Sequence, residues 1–232
     1  MTERDRKFEY DDQAYFKYIE QLDQLHEGAK DIVFNFPLYV GTVNLARYIG
    51  MYEMYKQVLD VAGHVADVGT YRGASFVFFA KMIKLLEPYS STHVHGFDWF
   101  KGMNPDKDDN QAYAGQYQGD YERLLKHIEL QDLSGFAHVH KMNIVDELGG
   151  FLQKNPSLRF KLVFLDCGIK DVLTASMQHF WPRMVKGGIL VLDHYNSPYS
   201  PFESEIVDKF CGGLPVRQIP FSRSPSGYIV KE

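Results

Sequence analysis

The stretch HVADVGTYRGAS, residues 64–75, decides how this chain is read. It begins as a short apolar run, turns at Gly69 and Gly73, and enters a helical pattern near 74–87. Glycine lets the backbone bend and approach a ligand closely. A helix start adds free N–H groups and a positive dipole end, which suits the carboxylate of an amino acid. The G-x-x-x-G spacing is neither the dinucleotide pattern G-x-G-x-x-G nor the phosphate loop with its Lys. Alone, the turn fits structural glycines as well as a ligand site.

Downstream of this turn, short apolar segments alternate with helical ones. Strands are expected near 64–68, 93–98, 137–141, 161–166, 188–193, 215–219 and 226–230, and helices near 74–87, 119–130, 144–154, 171–184 and 202–211. That alternation predicts a mostly parallel α/β sheet with helices on both faces. FKLVFLD (160–166) and GGILVLD (187–193) are nearly continuous apolar runs, as central parallel strands are. The link FSRSPS (221–226) is too short for a helical crossover, so the last two strands should form an antiparallel hairpin.

Upstream, Tyr15, Phe16, Ile19, Leu22 and Leu25 recur at helical spacing, and a second helical stretch spans Val43 to Leu59. FNFPLYVGT (34–42) reads as an irregular link between them. The chain therefore divides into an N-terminal helical extension, 1–60, serving as acceptor lid or subunit interface, and a cofactor domain, 61–232. The polar loop 101–119 is either a lid or a solvated connection.

Thirty acidic residues against 25 basic ones leave a net charge of −5, and no Lys/Arg block stands out, which disfavours nucleic acid as a partner. No apolar run reaches the roughly 18 residues of a membrane helix. The first residues, MTERDRKFEYDDQ, are too charged for a signal peptide, and Cys167 and Cys211 offer no disulfide framework. A cytoplasmic location is expected.

In an open α/β sheet, ligands bind beyond the carboxyl ends of the strands. There Asp98 ends HVHGFD (93–98), where a carboxylate can accept hydrogen bonds from both ribose hydroxyls or can cap a turn. With the glycine turn it describes a ligand that is part nucleoside and part amino acid. The candidate cofactor contacts are Asp67, Gly69, Thr70, Tyr71, Arg72, Gly73, Ser75, Asp98, Trp99 and, beside an adenine ring, Asn143.

HVADVGTYRGAS together with LLEPYSSTHVHGFDWFKGMNPD (85–106) resembles the sugar O-methyltransferases of the macrocin and dTDP-6-deoxyhexose 3-O-methyltransferase group. The motif residues are Asp67, Gly69, Gly73, Ala74 and Ser75, then Glu87, Pro88, Phe97, Asp98, Phe100 and Gly102. The resemblance implies the Rossmann-like class I fold of S-adenosylmethionine (AdoMet)-dependent methyltransferases, with seven strands, one of them antiparallel. It implies AdoMet as cofactor, a sugar hydroxyl as acceptor and often a homodimer. It also implies a divalent metal, Mg²⁺ or Mn²⁺, on Asp166, Asp193 and, where the group usually has a second acid, His194. The group's second Asp is Gly168 here and its usual Tyr is Lys170; the altered Gly168 and His194 leave a catalytically inactive AdoMet-binding module as an alternative.

Asp166 and Asp193 end the two most apolar strands, so parallel pairing would put both carboxylates on one edge. Two carboxylates plus substrate oxygens suit a hard divalent cation, which would orient a hydroxyl and lower its pKa. Asp166, His194 and Lys170 are the candidate catalytic residues. His194 is a third ligand or a general base. Lys170, four residues after Asp166, gives KLVFLDCGIKD and VLDHYN a loose similarity to catechol-type O-methyltransferases, which keeps a small-phenol acceptor open. The pairs His93/His95 and His138/His140 each share a strand face but lie on strand bodies, where a structural role is expected. Asp106, Asp108 and Asp109 read as a solvated loop face, while Tyr10, Tyr15, Tyr39 and Trp99 are pocket walls or core.

Overall fold

The computed structural model describes residues 3–22, 24–25, 28–109, 111–197 and 200–232, without the side chains of 3–12. The side chain of Tyr10, an expected pocket wall, thus lies outside what is described.

The strands are β1 (His64–Val68), β2 (Val94–Asp98), β3 (Ala137–Lys141), β4 (Phe160–Leu165), β5 (Met184–Leu192), β6 (Arg217–Gln218) and β7 (Gly227–Val230). They form one sheet in the order β3-β2-β1-β4-β5-β7-β6. The first five are parallel, and β7 runs antiparallel to both β5 and β6, as the short 221–226 link requires. This is the seven-stranded Rossmann-like arrangement that the sequence resemblance implies. Strand 5 starts at Met184, four residues earlier than its apolar run suggested.

Alternation in the strands divides the interior into two cores. Val163, Leu165, Leu190 and Leu192 face one, packed with Leu148, Leu173 and Phe180. Leu162, Phe164, Ile189 and Val191 face the other, packed with Phe76, Phe79 and Tyr55. Each of these fully buried side chains contributes about 1.5–3 kcal/mol of transfer free energy. The helices doing the covering are α5 (Ala74–Leu86), α6 (Tyr121–Leu130), α7 (Ile144–Lys154), α8 (Lys170–Phe180) and α9 (Pro201–Cys211).

Four helices precede the sheet: α1 (Glu3–Leu22), α2 (Ala29–Phe34), α3 (Phe36–Tyr39) and α4 (Thr42–Lys56). The expected irregular link at 34–42 instead holds the end of α2 and the short helix α3, separated at Asn35, where Pro37 can start the second, and is irregular only at 35 and 40–41. Helix α4 is fastened to the sheet by a buried polar knot. Lys161, fully buried, bonds both Glu87 oxygens at 2.7 Å. Glu87 also accepts from Thr92 Oγ1 at 3.0 Å and from the Tyr55 hydroxyl. A buried ion pair is tolerable only when its spare lone pairs are satisfied in this way.

Among the described residues no helix is long and apolar enough to cross a membrane.

Candidate active site

Strands β1 and β4 are neighbours in space but not in sequence, and a crevice opens where the order reverses. A cavity of about 600 Å³ fills it. A second, of about 250 Å³, shares Arg47, His194 and Arg223 with the first and reaches Tyr15, Phe16 and Asn44 of the N-terminal helices.

At one end of the larger cavity the chain leaves β1 through the glycine turn. Gly69 has φ +90°, and a Cβ there would sit 1.9 Å from the Asp166 carbonyl oxygen. Gly73 has φ +87°, and a Cβ would meet Leu124 Cδ1 at 2.3 Å. Both positions therefore demand glycine. Asp98 ends β2 with each oxygen engaged: Oδ2 accepts from Tyr71 N at 2.7 Å and Oδ1 from Phe100 N at 2.6 Å. An ionised carboxylate has about four lone-pair sites, so capacity to accept from a ribose hydroxyl remains. Burial pushes the Asp98 pKa up, against the pull of these backbone N–H groups.

The structure sorts the expected cofactor residues into three groups. Gly69, Tyr71, Asp98, Trp99 and Asn143 line the cavity. Asp67, Thr70, Gly73 and Ser75 lie beneath the turn and shape it. Asp67 is fully buried, and burial pushes its pKa up to about 7. Thr70 and Ser75 temper that rise, but neither carboxylate oxygen makes a well-formed hydrogen bond among the described residues. Arg72 is exposed, its guanidinium over the Tyr71 ring rather than in the cavity. Asn143 lines the wall with its side chain committed as the α7 cap, accepting from Val145 N and donating to Asp146. Its neighbours Met142, Ile144 and Val145 supply an apolar wall for a flat ring.

At the other end, sheet pairing carries past the strands: Asp166 N donates to Val68 O and Asp193 N to Leu165 O. That places the two carboxylates on one edge, as expected. His194 Nδ1 lies 3.4 Å from Asp193 Oδ2, and its backbone N donates to Glu203 Oε1 at 3.0 Å. Between the carboxylates stands a residue the sequence reading passed over. Arg47 of α4 donates from Nη2 to Asp166 Oδ2 at 2.8 Å and from Nη1 to Asp193 Oδ1 at 2.5 Å. Nη1 also donates to Ser224 Oγ at 2.7 Å, and Ser224 in turn donates to Asp193 Oδ2.

This network separates the two acids. Burial would raise Asp193, but Arg47, His194 and Ser224 outweigh it and hold the carboxylate below its usual range. Asp166 is 28% exposed along the cavity and recessed among protein atoms. Burial and the Asp193 charge push it up to about 6, opposed by Arg47. Asp193 is thus a fixed anion and Asp166 the better proton acceptor near neutrality.

Asp166, Asp193 and His194 each bring one potential ligand atom to within 4.8 Å of the others. Their oxygen and nitrogen donors suit a divalent cation. The guanidinium, however, already occupies both carboxylates. With Arg47 seated the set does not fit a metal ion; it fits one only with the guanidinium withdrawn.

Lys170 is not brought into the site. Its Nζ bonds Asp108 at 2.9 Å and lies over the Phe202 ring, and that ion pair raises its pKa, the wrong direction for a general base. Its backbone N donates to Asp109 Oδ1. Asp108 and Asp109, expected as a solvated face, instead tie the 101–119 loop to the start of α8. That loop covers the cavity with Met103, Asn104, Tyr113 and Tyr117, so it has the position of a lid. Of the other expected pocket walls, Tyr15 lines the smaller cavity while Tyr39 bonds Asp31.

The strand histidines form an interlocked stack, as their structural reading expects. His93 Nδ1 meets His138 Nε2 at 2.8 Å and His95 Nδ1 meets His140 Nε2 at 3.0 Å. His64 Nδ1 accepts from His93 N. Burial lowers His64 and His138, and takes His140 down to about 4 and His95 to about 2.

Sequence reasoning missed Arg47, Glu203 and Ser224. Arg47 did leave a signal: residues 47, 51 and 54 fall on one stripe of α4, and Met51 and Met54 are buried. A charge on an apolar helix face needs a buried partner. Glu203, on α9, is fully buried and is held well above the carboxylate range by burial and the Asp193 charge.

The sequence model of a family described as a methyltransferase domain matches residues 66–195. A crystal structure of CalS11, a calicheamicin methyltransferase, superposes with a TM-score of 0.81 at 22% identity, covering 93% of this chain and 91% of that one. The apo form of CalS11, described as a TDP-rhamnose 3'-O-methyltransferase, gives 0.75 at 23%, covering 93% of each. The O-methyltransferase NovP gives 0.67 at 15%, covering 80% and 79%. TomG, an O-methyltransferase from Streptomyces achromogenes solved with SAM, gives 0.51 at 14%, covering 83% and 91%. These likenesses extend to the fold. No curated protein sequence matches the chain.

Proposed function

The chain belongs to the methyltransferase domain family, and from that premise we propose that it transfers the methyl group of AdoMet to a sugar hydroxyl. One observation carries the proposal: a single cavity runs along the strand ends from Asp98 on β2, past the Gly69 turn that packs against Asp166, to Asp193 after β5. The part between Asp98 and Gly69 suits a nucleoside joined to an amino acid. Asp166 offers a carboxylate that can take a hydroxyl proton.

In this reading Gly69, Tyr71, Asp98, Trp99 and Asn143 meet AdoMet, while Asp67, Thr70, Gly73 and Ser75 hold the turn in shape. The acceptor oxygen attacks the methyl carbon in line as the carbon–sulfur bond breaks. The bonding pair stays on sulfur, which becomes a neutral thioether, and the hydroxyl proton passes to Asp166. Holding the oxygen against the methyl group supplies much of the acceleration. His194 faces the same space and positions the acceptor. The N-terminal helices close the acceptor side, because Tyr15, Phe16 and Asn44 line the smaller cavity that meets the larger one at Arg47 and His194.

The sugar is favoured by the motif resemblance and by the TDP-rhamnose activity given for CalS11. The small-phenol alternative loses its support with Lys170 turned onto Asp108. A metal-assisted reaction is the second reading, favoured by the convergence of Asp166, Asp193 and His194, and it requires Arg47 to withdraw. A cytoplasmic homodimer is the proposed form, with the exposed Val33, Phe34 and Leu38 available to a second copy. Sedimentation would test the dimer.

The direct test is an acceptor screen with radiolabelled AdoMet against nucleotide sugars, free glycosides and catechols. Label in sugars is expected; label in catechols alone would overturn the acceptor. Calorimetry should show AdoMet binding, and binding of NAD in its place would remove the premise.

A further inference from the structure

Arg47 makes a connection that methyl-donor binding does not require. It reaches from the N-terminal extension, 146 positions before Asp193, to join the two carboxylates at the end of the cavity. Two nitrogens of one planar group serve two different acids, the arrangement that makes guanidinium suited to buried ion pairs. Phe164 lies 5.2 Å beneath its carbon, adding a cation–π contact. The guanidinium stays charged, because its pKa is raised further: Asp193 and Asp166 outweigh the burial that opposes them.

Among the described residues, the Asp166 and Asp193 carboxylates pair with the Arg47 guanidinium, and a second guanidinium, that of Arg223, also lines both cavities. The Arg47 guanidinium already holds one oxygen of each acid, Asp166 Oδ2 and Asp193 Oδ1, so a divalent ion drawing on the same two carboxylates would compete with it for them. Such an ion would also stand against a fixed positive charge in a recessed, weakly screened place. Arg47 has five N–H donors, and the bonds to Asp166, Asp193 and Ser224 use three. The residue lines both cavities where they meet.

Resting on the methyl-transfer reading above, we propose that Arg47 is the built-in cation of the acceptor site: it replaces a divalent ion, and its remaining N–H groups hold the acceptor oxygen. As the oxygen bonds to the methyl carbon, the carbon–sulfur pair goes to sulfur and the hydroxyl proton to Asp166. Arg47 keeps all its protons throughout and lowers the negative charge that builds on oxygen. Transfer then needs no metal.

The test is a Mn²⁺ titration followed by electron paramagnetic resonance on the full chain, wild type beside Arg47→Gln and Arg47→Lys. Wild type should bind no stoichiometric Mn²⁺, and its turnover should be unchanged by EDTA. Arg47→Gln, which removes the charge and keeps the acids, should bind one Mn²⁺ per chain. Its turnover should fall about 10²–10³-fold, the usual effect of losing one preorganised donor. AdoMet affinity measured by calorimetry should stay within about threefold, and Arg47→Lys should recover part of the rate without metal. One Mn²⁺ bound to wild type with chelator-sensitive turnover overturns the proposal, as does a metal-free Arg47→Gln that turns over normally. If Arg47→Gln does not fold, the wild-type titration and Arg47→Lys still decide. Failure of the methyl-transfer reading would appear separately, as absent AdoMet binding, since the Mn²⁺ signal requires neither donor nor acceptor.

Discussion

At the Gly69 end of the cavity the polar contacts come mainly from one turn and the strand after it, residues 67–99. At the Asp193 end the side chains that meet come from residues 47, 166, 193–194, 203 and 224. The first end is largely backbone: two glycines at positive φ and two N–H groups aimed at Asp98. The second is side chains and charge, assembled from β4, β5, α4, α9 and the C-terminal loop. A backbone-built site tolerates few local changes and recognises one constant ligand. A side-chain-built site can be re-specified residue by residue, which suits the partner that varies among enzymes of one fold.

The contrast yields predictions in falling order of size. Asp193→Asn should reduce turnover by about 10³-fold or more, since it removes the fixed anion that seats Arg47. AdoMet affinity should stay within about threefold in calorimetry, in accord with the two ends acting separately. The mirror change, Asp98→Ala, should weaken AdoMet roughly ten- to a hundredfold while leaving Arg47 in place. If both variants lose AdoMet equally, the division between the ends fails.

Gly69→Ala should cost roughly 3 kcal/mol in urea denaturation, because the new Cβ meets the Asp166 carbonyl and φ is positive. A cost under about 0.5 kcal/mol would mean that the turn is not held against β4.

A further prediction concerns the histidine stack beside the cofactor end. His95 and His140 are lowered in the folded state, so the unfolded chain takes up their protons first as pH falls. Their contribution is undiminished above the unfolded pKa of about 6.5 and is lost below it, at roughly 1.4 kcal/mol per pH unit for each ring that stays neutral. Between pH 7.5 and 5.5 unfolding free energy should drop by roughly 2–3 kcal/mol, and substituting His95 by Phe should flatten that slope. An unchanged slope would place the protonation elsewhere.

The smallest effect is expected at Lys170. Lys170→Gln should change the rate constant kcat by less than about threefold, because Nζ is spent on Asp108 rather than on the acceptor. A hundredfold loss, or a shift in the alkaline limb of the pH–rate profile, would return Lys170 to the catalytic set.

The sheet was legible because its information is local. Two nearly continuous apolar runs marked the central strands, and the short 221–226 link forced the antiparallel hairpin. Asp67, Gly69, Gly73 and Asp98 were legible for the same reason, since strand ends and turns put them on one edge whatever the rest of the chain does. Lys170 misled because its distance in sequence from Asp166 says nothing about which way α8 turns the side chain. Asp108, 62 residues away, settles that.

Pattern and turn chemistry within the sequence were enough to determine a parallel sheet, its glycine turn and two carboxylates on the same edge, because each depends on residues only a few positions apart. Tertiary structure alone decided which cation meets those carboxylates. Arg47 sits on the inward stripe of a helix whose docking depends on the buried Tyr55–Glu87–Lys161 knot. Its energy comes from electrostatic pairing across 119 and 146 positions, and neither periodicity nor spacing encodes a meeting at that range.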